Sequence, residues 1–295
     1  MLARALGRRR GNALRRLSPG PRDRRAGNAR EEPPLVRRDG IRASGAGLAV
    51  VQIAVRLMRI CLLPLRIRYR DPERNFQHLE ERLWELAPQQ PDLIVLPECT
   101  LTGYLYEEQD LRGFAEPIPG PTTERMGELA RRHGIYICFG LLEATGREYY
   151  DSAVLLDRQG RIVLHHRKIE EHPPFALGSE VKAVDTELGR LSVIICGDLF
   201  NEEVVRGVDR SVDLLIVPLA RSFAGRSPDL ERWEREERQL YLDGVKAIGV
   251  TTAIVNALEV DTDDPSFGGA LLVDGRGRLL AESPHGTDEP LICDL

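Results

Sequence analysis

The sequence predicts a layered α/β protein in which sheets pack on each other and helices cover the outside. From Gly47 onward, apolar runs of strand length alternate with helical stretches. Strands outnumber helices, and the helices fall between strand pairs. No linker interrupts residues 47–295, which places them in one domain.

The elements follow in order. Leu48–Ala54 reads as a buried strand. Leu57–Tyr69 is apolar and basic without a clear period; it is either a loop that lines a pocket or mediates self-association, or an extended end of that first strand. Asp71 is placed to cap a helix over Pro72–Ala87, with Pro72 in its first turn. Leu93–Leu96 is a second strand. A helix over Thr122–His133 ends at Gly134, and Ile135–Leu142 returns as a strand. Tyr150–Asp157 and Ile162–His166 flank Arg158-Gln159-Gly160, which has hairpin-turn chemistry. In the second half, Leu191–Ile195 and Leu214–Val217 are buried strands, and Asp229–Ala247 is an amphipathic helix laced with charge. Thr251–Asn256, Gly269–Asp274 and Leu279–Ala281 complete the strands, the last two joined by a Gly-Arg-Gly turn. The chain closes on the strand-like Leu-Ile-Cys-Asp-Leu.

Residues 1–46 are different. Thirteen arginines against Asp23, Glu31, Glu32 and Asp39 make a net +9, and the whole chain carries −5, so residues 47–295 carry −14. Rich in Arg, Gly and Pro and lacking apolar periodicity, the first 46 residues read as a disordered arm. Met1 to Pro21 has the acid-free composition of a transit peptide, although an unstructured extension or an upstream start site is the simpler reading. A domain as acidic as 47–295 is poorly suited to holding nucleic acid by its phosphates. No stretch of eighteen apolar residues is present, so no membrane span is expected. Five scattered cysteines without a CxxC pair argue against a disulfide framework or a zinc site, and for a reduced, cytoplasmic setting. The basic residues comprise 38 arginines and only three lysines, Lys168, Lys182 and Lys246.

Three positions carry chemistry. Cys196 ends the run Leu-Ser-Val-Ile-Ile and precedes Gly-Asp-Leu-Phe, the geometry of a nucleophile elbow. Gly197 is expected to permit the strained backbone there and to leave its N–H free for a developing oxyanion, while a following helix N-terminus favours the thiolate. Glu98 follows an apolar strand and Pro97, where open α/β sheets place ligands; partial desolvation there is expected to raise its pKa toward a useful base. Lys168 closes the strand Ile162–His166. In a chain that otherwise prefers arginine, it offers a compact ammonium that can approach a tetrahedral oxygen. Singly, each has a plainer reading: a buried structural cysteine, a capping glutamate, a solvated lysine. His165 and His166 suggest a cysteine–histidine dyad, but strand alternation puts them on opposite faces. Arg206 and Asp198 are read as holding the elbow together.

Together these blocks resemble the nitrilase superfamily of carbon–nitrogen hydrolases. The resemblance spans about residues 47–295. It rests on Ala-Val-Val-Gln at 49–52, Leu-Pro-Glu with Thr-Gly-Tyr at 96–104, and Arg167-Lys168 after a strand. Asp185-Thr186, Ile-Cys-Gly-Asp with Glu203 and Arg206, and Phe267-Gly-Gly extend it. It implies a four-layer αββα sandwich, a Glu98–Lys168–Cys196 triad, no metal or organic cofactor, and homo-oligomers built on dimers. Two departures matter. The family often has an aromatic residue after the cysteine and Phe-Pro before the downstream glutamate, where this chain has Gly197 and Asn201-Glu202; Cys-Gly-Asp is closer to the amidases and carbamoylases than to true nitrilases. Many members also use a further glutamate in the loop after the lysine. Glu171 is the best-placed candidate, with Glu170 behind it. The resemblance thus implies hydrolysis of a small amide or N-carbamoyl compound through a cysteine thioester. The alternatives are an acyltransferase that passes the acyl group to an amine, and a non-catalytic scaffold of the same fold.

Overall fold

The computed structural model describes residues 57–295. The predicted strand Leu48–Ala54, with its Ala-Val-Val-Gln opening, and the Arg-rich extension 1–46 lie outside the described residues.

The first sheet contains β1 (Arg59–Leu62), β3 (Leu93–Val95), β4 (Tyr136–Thr145), β5 (Glu148–Leu156), β6 (Ile162–Arg167) and β14 (Leu291–Asp294), ordered β14-β1-β3-β4-β5-β6. The second contains β7 (Ala183–Thr186), β8 (Gly189–Val193), β9 (Leu214–Leu219), β10 (Thr252–Asn256), β12 (Ala270–Val273) and β13 (Leu279–Glu282), ordered β13-β12-β10-β9-β8-β7. A small ribbon pairs β2 (Arg66–Arg68) with β11 (Leu258–Val260) in parallel. The central strands β1, β3 and β4 run parallel, as do β8, β9 and β10, and β3 and β9 are buried along their whole length, as central parallel strands are.

Alternation separates the layers. On β1, Ile60 and Leu62 join the core shared with the second sheet, while Cys61 and the following Leu63 face the other way. That outer face is covered by α1 (Pro72–Leu86), through Phe76, Leu79, Leu83 and Leu86. Beside it α3 (Pro121–His133) contributes Met126, Leu129 and Ala130. The short α2 (Glu108–Phe114) lies between them in sequence. Beyond the second sheet lie α4 (Glu202–Gly207), α5 (Leu230–Arg232) and α6 (Arg238–Ile248), with Val204, Tyr241, Val245 and Ile248 buried in the shared core. The result is the αββα sandwich that the sequence predicts.

Local signals hold where they were strongest. Asp71 accepts from Arg74 N at 3.3 Å to cap α1, and Gly134 ends α3 in the left-handed region. Gly160 turns β5 into β6, and Gly277 turns β12 into β13, each at positive φ. The ambiguous Leu57–Tyr69 is neither of its two predicted readings. It supplies two separate strands, β1 at the heart of the first sheet and β2 in the ribbon. The helix foreseen over 229–247 is interrupted by a π-helical turn at Trp233–Glu237, which buries both Trp233 and Glu237.

Candidate active site

The three predicted residues meet at one end of the two sheets. β3 delivers Glu98 through Pro97, β6 delivers Lys168 directly, and β8 leads through Ile194 and Ile195 to Cys196. Because β3 and β6 run the same way in their sheet, both ends open on one side. The sheets are tied together there: Glu98 N donates to Leu219 O at 3.3 Å, and Ala220 N donates to Glu98 Oε2 at 2.6 Å.

Lys168 is the hub. Its Nζ lies 2.6 Å from Glu98 Oε1, 3.0 Å from Asp151 Oδ2 and 2.5 Å from Glu171 Oε2. The Tyr104 ring covers it, with 5.1 Å from Nζ to the centroid. Gly103, at φ +75°, gives the turn that brings Tyr104 there. Carboxylate oxygens of Glu98, Asp151 and Glu171 lie within 4.8 Å of one another, the spacing of a cation site, and the Lys168 ammonium occupies their centre. Glu171 therefore joins the cluster, whereas Glu170 is exposed and accepts from Asn201 Nδ2.

Three acids around one buried cation cannot all be charged at low cost. Burial, then the facing Glu98 charge, push Asp151 well above the usual carboxylate range. Burial acts on Glu98 too, but Lys168 and the hydrogen bonds from Asp151, Lys168 and Cys196 outweigh it and hold Glu98 below its usual value. The expected rise at Glu98 is thus found at its neighbour. For Lys168, burial is overcome by Glu98, Tyr104 and Asp151, and the ammonium stays charged. The resting cluster is Glu98 carboxylate, Asp151 carboxyl, Lys168 ammonium.

Cys196 departs from expectation in two ways. The left-handed residue of the elbow is Cys196 itself, at φ +46°, not Gly197. Gly197 is needed for a close approach instead: a Cβ there would meet Glu170 O at 3.3 Å. Its N–H has no acceptor among the described residues. Secondly, the segment after the cysteine is a 3-10 turn, Cys196–Phe200, followed by α4 of only six residues capped by Asn201. Burial, then the Glu98 charge, raise the Cys196 thiol well above its ordinary value, so the resting form is the thiol. Cys196 still keeps 6% of its surface, while Cys61, Cys99 and Cys138 keep none.

Asp198 braces the elbow. It accepts from Ile169 N and Glu170 N at 2.9 and 2.7 Å, and from Ile195 N and His166 Nε2 at 3.0 and 2.9 Å, joining the Cys196 turn to the segment after Lys168. His166 is buried in this role, and His165 points to the other face, toward Glu143. Arg206 is exposed and takes no part in the elbow. Sequence reading missed Asp151 and the Ala220 N–H. An acid inside the apolar run Tyr-Tyr-Asp-Ser-Ala-Val was the available signal for the first; a backbone N–H leaves none.

The profile of the carbon–nitrogen hydrolase family matches residues 47–295. The chain belongs to that family. As a carbon–nitrogen hydrolase it is similar to a nitrilase of Pyrococcus abyssi, at 27% identity over 230 residues, 70% of this chain and 87% of that one. It is also similar to the omega-amidase Nit3 of Saccharomyces cerevisiae, at 22% over 264 residues, 82% of this chain and 88% of that one. The solved structure of yeast Nit3 superposes with a TM-score of 0.70 at 19% identity, covering 81% of this chain and 90% of that one. An amidase of Nesterenkonia sp. AN1 superposes at 0.67 and 22% identity, over 81% and 92%. In a variant of that amidase, acrylamide adds to the active-site cysteine. Among the described residues, no helix of this hydrolase is long and apolar enough to cross a membrane.

Proposed function

We infer that this hydrolase cleaves a small amide or N-carbamoyl compound through a thioester on Cys196. The observation that carries the reading is the meeting of Glu98, Lys168 and Cys196, residues 98 positions apart from first to last, in one buried cluster. The amidase whose cysteine is alkylated by acrylamide supports it.

The mechanism follows from the protonation states. Glu98, ionised and hydrogen-bonded to the thiol, takes the Cys196 proton as sulfur attacks the carbonyl carbon. The free Gly197 N–H faces the developing oxyanion. In the resting site Lys168 donates hydrogen bonds to Glu98 and Asp151, and its third acid, Glu171, is held by charge alone, its Oε2 buried without a hydrogen bond. Lys168 therefore reaches the oxyanion by releasing one of them, and Glu171, carried on the loop rather than on a strand, is the partner released. Protonated Glu98 gives its proton to the leaving ammonia or amine. It then takes one from the water that cleaves the thioester.

Intact mass spectrometry after incubation with amides, carbamoyl compounds and nitriles tests this. An acyl adduct is expected on the wild type and absent from Cys196→Ala. An adduct that survives in that variant would overturn the assignment.

A further inference from the structure

A second charged group lies within electrostatic reach of the same sulfur. Ala220, whose N–H binds Glu98, is followed by Arg221. Arg221 is only 7% exposed, and its backbone is clamped by Asn256, which accepts from Arg221 N at 2.7 Å and donates to Arg221 O at 3.0 Å. Its Nη2 donates to Glu237 at 3.0 and 3.3 Å. Glu237 also accepts from Arg232 Nη2 at 2.9 Å. Two guanidinium groups thus share one carboxylate, leaving a net charge of +1.

This cluster is incomplete as it stands. Arg221 Nε and Nη1 have no acceptor among the described residues, and Arg232 Nε is fully buried without one. Unpaired donors on a buried cation are costly, and an anion is the chemistry that relieves them. The group lies within electrostatic reach of both Cys196 and the buried Tyr241. Phe223 lines the same side, with the Arg232 guanidinium 4.6 Å above its ring. The surplus is one charge, which matches a carboxylate rather than a dianion.

Resting on the hydrolase reading above, we propose that Arg221 anchors a carboxylate of the substrate, so that the amides and carbamoyl compounds turned over are those bearing a second, anionic end. Arg221 thereby sets specificity and takes no part in bond breaking. Glu237 and Arg232 position it.

The test compares monoamides of three- to five-carbon dicarboxylic acids with neutral amides of equal length. Wild type is expected to favour an anionic member in kcat/KM by about 30-fold or more, chiefly through KM. Arg221→Gln should collapse that ratio, whereas a purely structural role would lower both classes together. Glu237→Gln should move the other way and tighten binding of the anionic amide, because it leaves the two guanidinium groups without their shared carboxylate. Calorimetric titration of Cys196→Ala, with and without Arg221→Gln, measures binding independently of hydrolysis. Arg221-dependent binding of the anionic amides without any acyl adduct in the wild type would sink the hydrolase reading alone. Equal binding and turnover of anionic and neutral amides would overturn the role of Arg221.

Discussion

Lys168 Nζ lies 3.0 Å from Asp151 Oδ2, and Lys168 N donates to Asp151 O at 2.9 Å, so one residue of β5 holds both ends of the lysine. The contact completes a ring of three acids on one ammonium. It decides where the protons reside.

Removing the hub is expected to be severe. Lys168→Met leaves the buried Glu98 carboxylate without its counter-charge, which costs about 3–5 kcal/mol of stability. Turnover should fall by at least about 100-fold because Glu98 loses the partner that keeps it ionised. Thermal unfolding and amide turnover check both; a variant as stable as wild type would contradict the burial and pairing described here.

Asp151→Asn should be tolerated, since an amide keeps the neutral, donating form that the carboxyl adopts. The pH dependence gives the sharper readout. A carboxyl whose pKa is raised by folding binds more protons folded than unfolded, so it loses stability as pH rises above 3.8, its ordinary value. The asparagine variant lacks this loss. Its melting temperature relative to wild type is expected to climb between about pH 4 and pH 8; a constant offset would mean Asp151 is ionised in the folded protein.

The resting thiol makes a prediction about alkylation. With the Cys196 pKa raised above its ordinary 9.0, iodoacetamide labelling should keep accelerating up to and beyond pH 9 without a plateau near neutrality. Peptide mapping should place the label on Cys196 ahead of the fully buried Cys99 and Cys138. A plateau near pH 6 would indicate a preformed thiolate.

Gly140→Ala tests how tightly Glu98 is seated. A Cβ on Gly140 would stand 2.7 Å from Glu98 Cα and from Cys99 N, both backbone atoms that cannot turn aside. Overpacking of this kind costs about 1–3 kcal/mol. Displacing Glu98 by a fraction of an ångström should lower turnover on the order of 100-fold while the protein remains folded. Circular dichroism and kinetics on the same sample separate the two effects.

Much of the fold was legible along the chain. The apolar runs before Glu98 and Cys196 mark buried parallel strands whose ends carry the chemistry. Capping at Asp71 and the turns at Gly160 and Gly277 were equally local. These signals are short-range, because backbone geometry and strand period act over a few residues. Leu57–Tyr69 had no such period, and only partners far along the chain, Leu93 to Val95 and Leu258 to Val260, turned it into two strands.

The sequence by itself determined the layered sheets with helices outside and the positions of Glu98, Lys168 and Cys196 at strand ends, while the family resemblance singled out Glu171 ahead of Glu170 as a candidate. Tertiary structure alone decided that Asp151 rather than Glu98 carries the raised pKa, that Cys196 and not Gly197 bears the strained φ, and that Arg221 comes within electrostatic reach of the sulfur. The reason is electrostatic and geometric. A proton's location depends on every charge within a few ångströms, and those charges come from β3, β5, β6 and the loops after them, where spacing along the chain says nothing about distance in space.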